Sequence, residues 1–141
     1  MKSKPFIVGF LIVVAAIAIF SIYLSTIVDR TETSLSDVLS PDKKMKAVKL
    51  TLSGGGRSPF CLDSISVMLA AYPDEFAESR KEYEVYSAPC GRPADGEPLP
   101  KIEWRSSTAL QISYAASAAK KLKMKDRDVT KSVLVTFIAQ D

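Results

Sequence analysis

The stretch RSPFCLDSISVML, residues 57–69, places one of the chain's two cysteines just ahead of an alternating apolar run. A period of two is typical of a half-buried strand. One face of this strand would carry Ile65, Val67 and Leu69, and the other Ser64, Ser66 and Met68. The stretch EYEVYSA, residues 82–88, is rich in aromatic and β-branched residues and predicts a second strand.

The two cysteines, Cys61 and Cys90, would meet at the open end of one hairpin if these strands pair antiparallel. A disulfide that closes a loop of this length stabilises a domain by about 3–4 kcal/mol in the chain-entropy model. Redox pairs favour Cys-x-x-Cys spacing, which is absent here, so reactive or intermolecular thiols are the weaker alternative. A strict register read from the cysteines would place Glu84 opposite Val67.

The N-terminal region contains 24 residues, 5–28, without a charged side chain. About 20 apolar residues cross a bilayer, so this run predicts a transmembrane anchor. A cleaved signal peptide is the alternative, but its apolar stretch would be shorter. Lys2 and Lys4 precede the run, and the positive-inside bias places residues 1–4 in the cytoplasm. We expect a single-pass protein of the inner (cytoplasmic) membrane, with a C-terminal domain that is periplasmic or extracellular.

The net charge of +3 is no argument for a nucleic-acid partner, and we expect none. Without Lys2 and Lys4, the remaining chain carries 17 basic and 16 acidic side chains and is nearly neutral. An exported compartment is oxidising, which is consistent with a disulfide.

Beyond the anchor, residues 29–44 are polar and predict a linker, and residues 45–141 predict one exported β-rich domain. Pro73 and the acids after it predict a helix of about two turns. Residues 115–127 are ambiguous between a helical turn and a lysine-guarded edge strand. Residues 129–139 are apolar on both faces and predict a central strand. The remaining strands would turn these side chains inward: Ile102, Trp104, Leu110, Ile112 and Tyr114. The fold class is mainly β, a small antiparallel sheet or sandwich with one or two short helices.

Several kinds of chemistry are excluded by composition, because a chain without histidine cannot form Ser-His-Asp, Cys-His or common zinc sites. We expect no metal and no cofactor. The carboxylates of Asp74, Glu75 and Glu78 predict a solvated helix face rather than a general acid and base.

Two segments are candidates for contact with a ligand or a partner. The first is the glycine run Gly54, Gly55 and Gly56 with Arg57, whose backbone amides could hold an anion, although a plain loop is the simpler interpretation. The second is the basic segment formed by Lys120, Lys121, Lys123 and Lys125. Such a run is usually a solvated edge, but it suits an acidic partner or anionic lipid.

The succession SPDKK, SPFCLDSISV, EYEVYSAPCG, PKIEW and ALQISY resembles that of small uncharacterised single-pass bacterial envelope proteins with a strand-rich exported domain. The resemblance covers most of residues 40–115. It implies an envelope location and assigns no activity and no functional residues.

The expected function is that of a non-enzymatic, membrane-tethered interaction module of the cell envelope with a protein partner. Two alternatives stay open. One is an immunity or exclusion protein that neutralises a toxin or phage factor, and the other is a small hydrolase that uses carboxylates.

Overall fold

The computed structural model describes residues 4–27, 31–55, 58–91 and 99–141. Within these ranges the helices are α1 (Lys4–Ile27) and α2 (Phe76–Ser79), with 3-10 segments at Lys81–Tyr83 and Ala116–Lys121. The strands are β1 (Thr31–Leu39), β2 (Met45–Gly54), β3 (Phe60–Leu69), β4 (Glu84–Pro89), β5 (Lys101–Ser106), β6 (Ala109–Ala115), β7 (Lys123–Met124) and β8 (Leu134–Gln140).

The strands form two sheets that share one core. The larger sheet has the order β1-β2-β3-β4-β7 with every neighbouring pair antiparallel. The smaller has the order β5-β6-β8, in which β6 and β8 run parallel. Apolar side chains of both sheets meet between them, among them Ala47, Ile65 and Val67 from the larger and Leu110 and Ile112 from the smaller. The prediction of a mainly β fold is confirmed.

The outer face of the larger sheet is also partly covered, because successive strand residues point to opposite sides. Val48 and Met68 lie on this face and pack with Ala77 of α2. The predicted helix after Pro73 is shorter than expected, since α2 has only four residues before the chain enters a 3-10 turn.

The disulfide joins Cys61 of β3 to Cys90, which directly follows β4, with the two Cα atoms 5.3 Å apart. The backbone amide of Cys90 donates a hydrogen bond to the carbonyl of Cys61 at 3.1 Å. Both the antiparallel hairpin and its cross-link, predicted from residues 57–90, are therefore confirmed.

The register of this hairpin departs from a strict ladder by one residue. Glu84 lies opposite Ser66 rather than Val67, because the pairing shifts along the strand. Such a bulge leaves one residue of β4 without a direct partner. As a result, the consecutive residues Val85 and Tyr86 both reach the core, which a regular strand would not allow.

The polar linker predicted for residues 29–44 is wrong for its central part, because Thr31–Leu39 forms β1. This strand pairs with β2 along its whole length, from Thr31 opposite Gly54 to Leu39 opposite Lys46. Eight of its nine side chains are exposed, and only Leu35 packs against a core cluster. An edge strand with solvent on both faces needs few apolar residues, so its composition resembles that of a linker.

The last strand, β8, was predicted to be central, and it is instead an edge strand beside β6. Val133, Val135 and Phe137 face the core as expected. Leu134 and Ile138 on the other face are 44% and 40% exposed. Apolar residues on both faces therefore did not indicate burial on both faces.

The ambiguous segment contains both predicted structures, a 3-10 helix at Ala116–Lys121 followed by the two-residue edge strand β7. The inward side chains of β5 and β6 are confirmed, because Leu110 and Ile112 are buried and Ile102, Trp104 and Tyr114 pack against them.

Within α1, burial is described for Gly9 and residues 12–23, and all of these residues are exposed. Within the part of the chain that the structure describes, no helix is both long enough and apolar enough to cross a membrane.

Candidate functional site

The basic edge, residues 122–127, borders the larger sheet beside β4. Met124 lies opposite Tyr86 in the ladder, and the amide of Lys125 donates to the carbonyl of Val85 at 2.8 Å. Leu122 is half-buried and packs against the shared core. Leu122 thus holds the segment in place, while the side chains of Lys123 and Lys125 are exposed.

A concave surface of about 390 Å³ lies along this edge and is lined by Glu84, Val85, Tyr86 and residues 122–125. Glu84 is already paired, with its carboxylate 3.4 Å from the ammonium of Lys81. The remaining charges of residues 122–127 are Lys123, Lys125 and Arg127 against Asp126, a net charge of +2. The surface therefore favours an anionic ligand or an acidic peptide.

Two lysines of the predicted basic segment, Lys120 and Lys121, lie in the 3-10 helix Ala116–Lys121. Their side chains are outside the described residues, so the described part of the segment is Lys123 and Lys125.

The glycine run begins at the end of β2. Gly54 is the last residue of that strand and Gly55 is exposed, whereas Gly56 and Arg57 lie outside the described residues. A Cβ atom on Gly54 would overlap the ring of Phe60, which stands over it. A side chain at position 54 would therefore have to displace the exposed Phe60 ring, and no positive φ angle is involved.

The described parts of the two predicted contact segments, Gly54–Gly55 and Lys123–Lys125, lie apart. β2 and β7 are separated by β3 and β4 in the larger sheet. Three strand spacings correspond to about 14 Å. The pairings across β4 and β3 also place Lys123 level with Leu50 of β2, and Leu50 is four residues from Gly54 along that strand. The glycine run and the basic edge are thus two surfaces rather than one site.

A buried polar network on the core side of the larger sheet was missed by the sequence analysis. The carboxylate of Asp63 is almost fully buried, and it accepts a hydrogen bond from the Thr51 hydroxyl at 2.5 Å. The ammonium of Lys49 lies 4.0 Å from the same oxygen. The available signal was Asp63 itself, the single charged residue of β3. With its charge compensated, Asp63 serves the packing of β2 against β3.

Tyr86 lies next to this network on β4. Burial, then the negative charge of Asp63 and then the neighbouring Tyr114 raise the pKa of Tyr86 to about 12. The phenol therefore keeps its proton at neutral pH, and it can donate a hydrogen bond but not act as a base.

The acidic residues of the predicted helix face do not form a paired carboxylate site. Asp74 forms an ion pair with Lys46, a buried residue of β2. Glu75 and Glu78 are exposed, as predicted for a solvated face. Asp74 thus has a structural role, because its carboxylate compensates the charge of the buried Lys46.

Among the residues that the structure describes, no group of three Cys, Asp or Glu side chains could hold a metal ion. Comparisons with protein-family models, curated proteins and solved structures give no match.

Proposed function

We propose that this protein is a non-enzymatic, membrane-tethered interaction module of the bacterial cell envelope, and that it binds an acidic segment of a protein partner at the basic edge. The observation that carries the proposal is the exposed pair Lys123 and Lys125, which flanks a concave surface of about 390 Å³. Their positive charge would steer an acidic partner toward the surface.

The short length of β7 adds to this argument. It has two residues and is the last strand of the larger sheet in the described part of the chain. A terminal strand presents unpaired backbone groups that an extended peptide can use, and lysines at such an edge also discourage indiscriminate pairing. An acidic segment would neutralise the lysines and reach the edge.

The membrane tether is supported by the sequence of residues 5–28, which contains no charged side chain. This run of 24 residues exceeds the roughly 20 that are needed to cross a bilayer core of about 30 Å. The disulfide Cys61–Cys90 supports export, since such bonds persist in oxidising compartments.

The test is capture of partners by the full chain from detergent-solubilised membranes. The double variant Lys123→Gln with Lys125→Gln should lose the specific partner. The matched control, Lys44→Gln with Lys101→Gln, removes the same charge from exposed positions elsewhere and should retain it. Recovery of the same partner by both variants would refute the assignment of the basic edge. Extraction of the chain from membranes by alkaline carbonate would refute the tether.

A further inference from the structure

The register of the larger sheet brings three distant parts of the chain to one end. Thr31 lies opposite Gly54, and Gly54 lies opposite Phe60. Cys61 and Cys90 form the next row. We call these described strand ends, Thr31, Gly54, Phe60 and the Cys61–Cys90 pair, the loop end of the domain. It contains the start of β1, the first residue of the glycine run and the disulfide.

The loop end is held close to α1 by the length of the chain. The helix ends at Ile27 and β1 begins at Thr31. Four Cα–Cα steps of 3.8 Å reach at most about 15 Å. Thr31 therefore lies within about 15 Å of the end of α1, whatever the angle between them. The opposite end of the sheet, at Leu69, lies nine residues along β3 from Phe60, about 30 Å away.

The composition of the loop end suits a lipid surface. The ring of Phe60 is 48% exposed, and exposed apolar side chains such as Phe are those that a peripheral segment buries at the boundary between headgroups and acyl chains. The charged residues within three positions of the loop end in sequence cancel in sign, with three acidic and three basic side chains: Asp29, Glu32, Asp63, Arg30, Arg57 and Arg92. The contact should therefore not require anionic lipid, unlike binding at the basic edge.

From this juxtaposition we infer that the loop end rests on the membrane that holds α1, with the Phe60 ring at the boundary between headgroups and acyl chains. The inference rests on the tether of the proposed function and identifies lipid as the partner of the sheet end that carries Gly54 and Phe60. It also turns the far end of the sheet, with Leu69, away from the membrane. A tether raises the effective concentration of the loop end at the bilayer, so one aromatic ring suffices for a weak contact.

The experiment uses the full chain in vesicles of zwitterionic phosphatidylcholine, with and without brominated acyl chains that quench tryptophan. The native Trp104 is the internal reference. Its indole donates a hydrogen bond to the carbonyl of Val38 at 3.0 Å. Val38 lies seven residues along β1 from Thr31 and is therefore far from the loop end. Trp104 should therefore keep its emission. Phe60→Trp adds an indole at the loop end, and the matched control Leu69→Trp adds one at the other end of β3, where the native side chain is 41% exposed.

We expect the emission added by Phe60→Trp to be lost in brominated vesicles and the emission added by Leu69→Trp to persist. Equal quenching at both positions, or none at either in protein that floats with the vesicles, would overturn the inference and leave the tether intact. Protein that does not float with vesicles would refute the tether itself.

A second variant tests the argument from chain reach. An insertion of 16 Gly and Ser residues between Val28 and Asp29 gives a root-mean-square span of about 22 Å. Quenching of the Phe60→Trp indole should then fall. If quenching is undiminished in the inserted variant, the short connection is not what holds the loop end at the membrane.

Discussion

Removal of the disulfide, by Cys61→Ala together with Cys90→Ala, should lower the free energy of unfolding by about 3.5 kcal/mol. The bridge joins residues 29 apart. For a loop of this length the chain-entropy relation gives about 12 cal/mol/K, or about 3.6 kcal/mol at 25 °C. Cys61 is exposed and Cys90 only half-buried, so truncation removes little packing. The loss should therefore arise in the unfolded chain.

The assay is urea denaturation of the full chain in detergent, followed through Trp104, the single tryptophan. This indole lies on β5 and donates to Val38 of β1, so it reports separation of the two sheets. The midpoint should fall, and the slope of free energy against urea should rise, because the unfolded chain without the bridge exposes more surface. The thermal midpoint should fall by about 10–20 °C.

Wild-type protein reduced with dithiothreitol is the control, and it should match the double variant. A loss below about 1 kcal/mol, with an unchanged slope, would refute the loop-closure reasoning. If the double variant lacks the β-strand signal even without urea, the loop-closure reasoning is also refuted. That result would mean that the bridge is required to form the β3–β4 hairpin rather than only to restrict the unfolded chain.

Three further predictions concern the domain core and can be measured by the same urea assay. The free energy of unfolding of the wild type should fall by up to about 2–3 kcal/mol from pH 10 to 12, because the unfolded phenol ionises near pH 10 while folded Tyr86 keeps its proton to about pH 12. Tyr86→Phe should remove this part of the pH dependence. A variant with the same pH profile as the wild type would contradict the prediction. Gly91→Ala should cost about 1–3 kcal/mol, since the new Cβ would overlap that of Ala115, whereas Gly55→Ala, with open space around it, should cost less than about 0.5 kcal/mol; equal costs would refute the close approach. Asp128→Ala should cost about 2–3 kcal/mol, because its buried carboxylate accepts hydrogen bonds from two backbone amides of the following turn, and a neutral effect would show that water replaces it.

Strands that bury one face were predictable from the sequence, because alternation reports directly which side chains meet the core. Ile102 and Trp104 of β5, and Leu110 and Ile112 of β6, were placed inward by period alone, and the structure confirms them. The disulfide was predictable for a related reason. Two strands and two cysteines leave one antiparallel arrangement in which the thiols meet.

Two of the edge strands, β1 and β8, were not predicted correctly, for opposite reasons. β1 is polar because solvent covers nearly all of it, so the ladder with β2 rather than side-chain burial defines it. β8 is apolar on both faces, although Leu134 and Ile138 remain exposed. Strand order depends on pairings between distant segments, and local composition carries no information about them.

The candidate site shows the same division. Residue type was enough to single out the lysines and the glycine run as contact segments. Their separation was not predictable, because it depends on the order of β2, β3, β4 and β7 in one sheet. The Asp63 network was missed because its partner Thr51 is 12 residues away and meets it only through the β2–β3 register.

The error over residues 29–44 has the largest functional consequence. A flexible linker of 16 residues would have a root-mean-square span of about 22 Å and would let the domain sample many orientations. With Thr31–Leu39 in the sheet, only residues 28–30 separate it from α1. If α1 is the proposed tether, such a connection fixes which end of the domain faces the bilayer. Through the strand pairings, Lys123 lies level with Leu35 of β1, which is four residues from Thr31. Lys123 is then roughly 14 Å above the loop end. An acidic partner of the basic edge must therefore approach close to the membrane surface, so another protein of the same membrane is a better candidate than one that diffuses through the envelope.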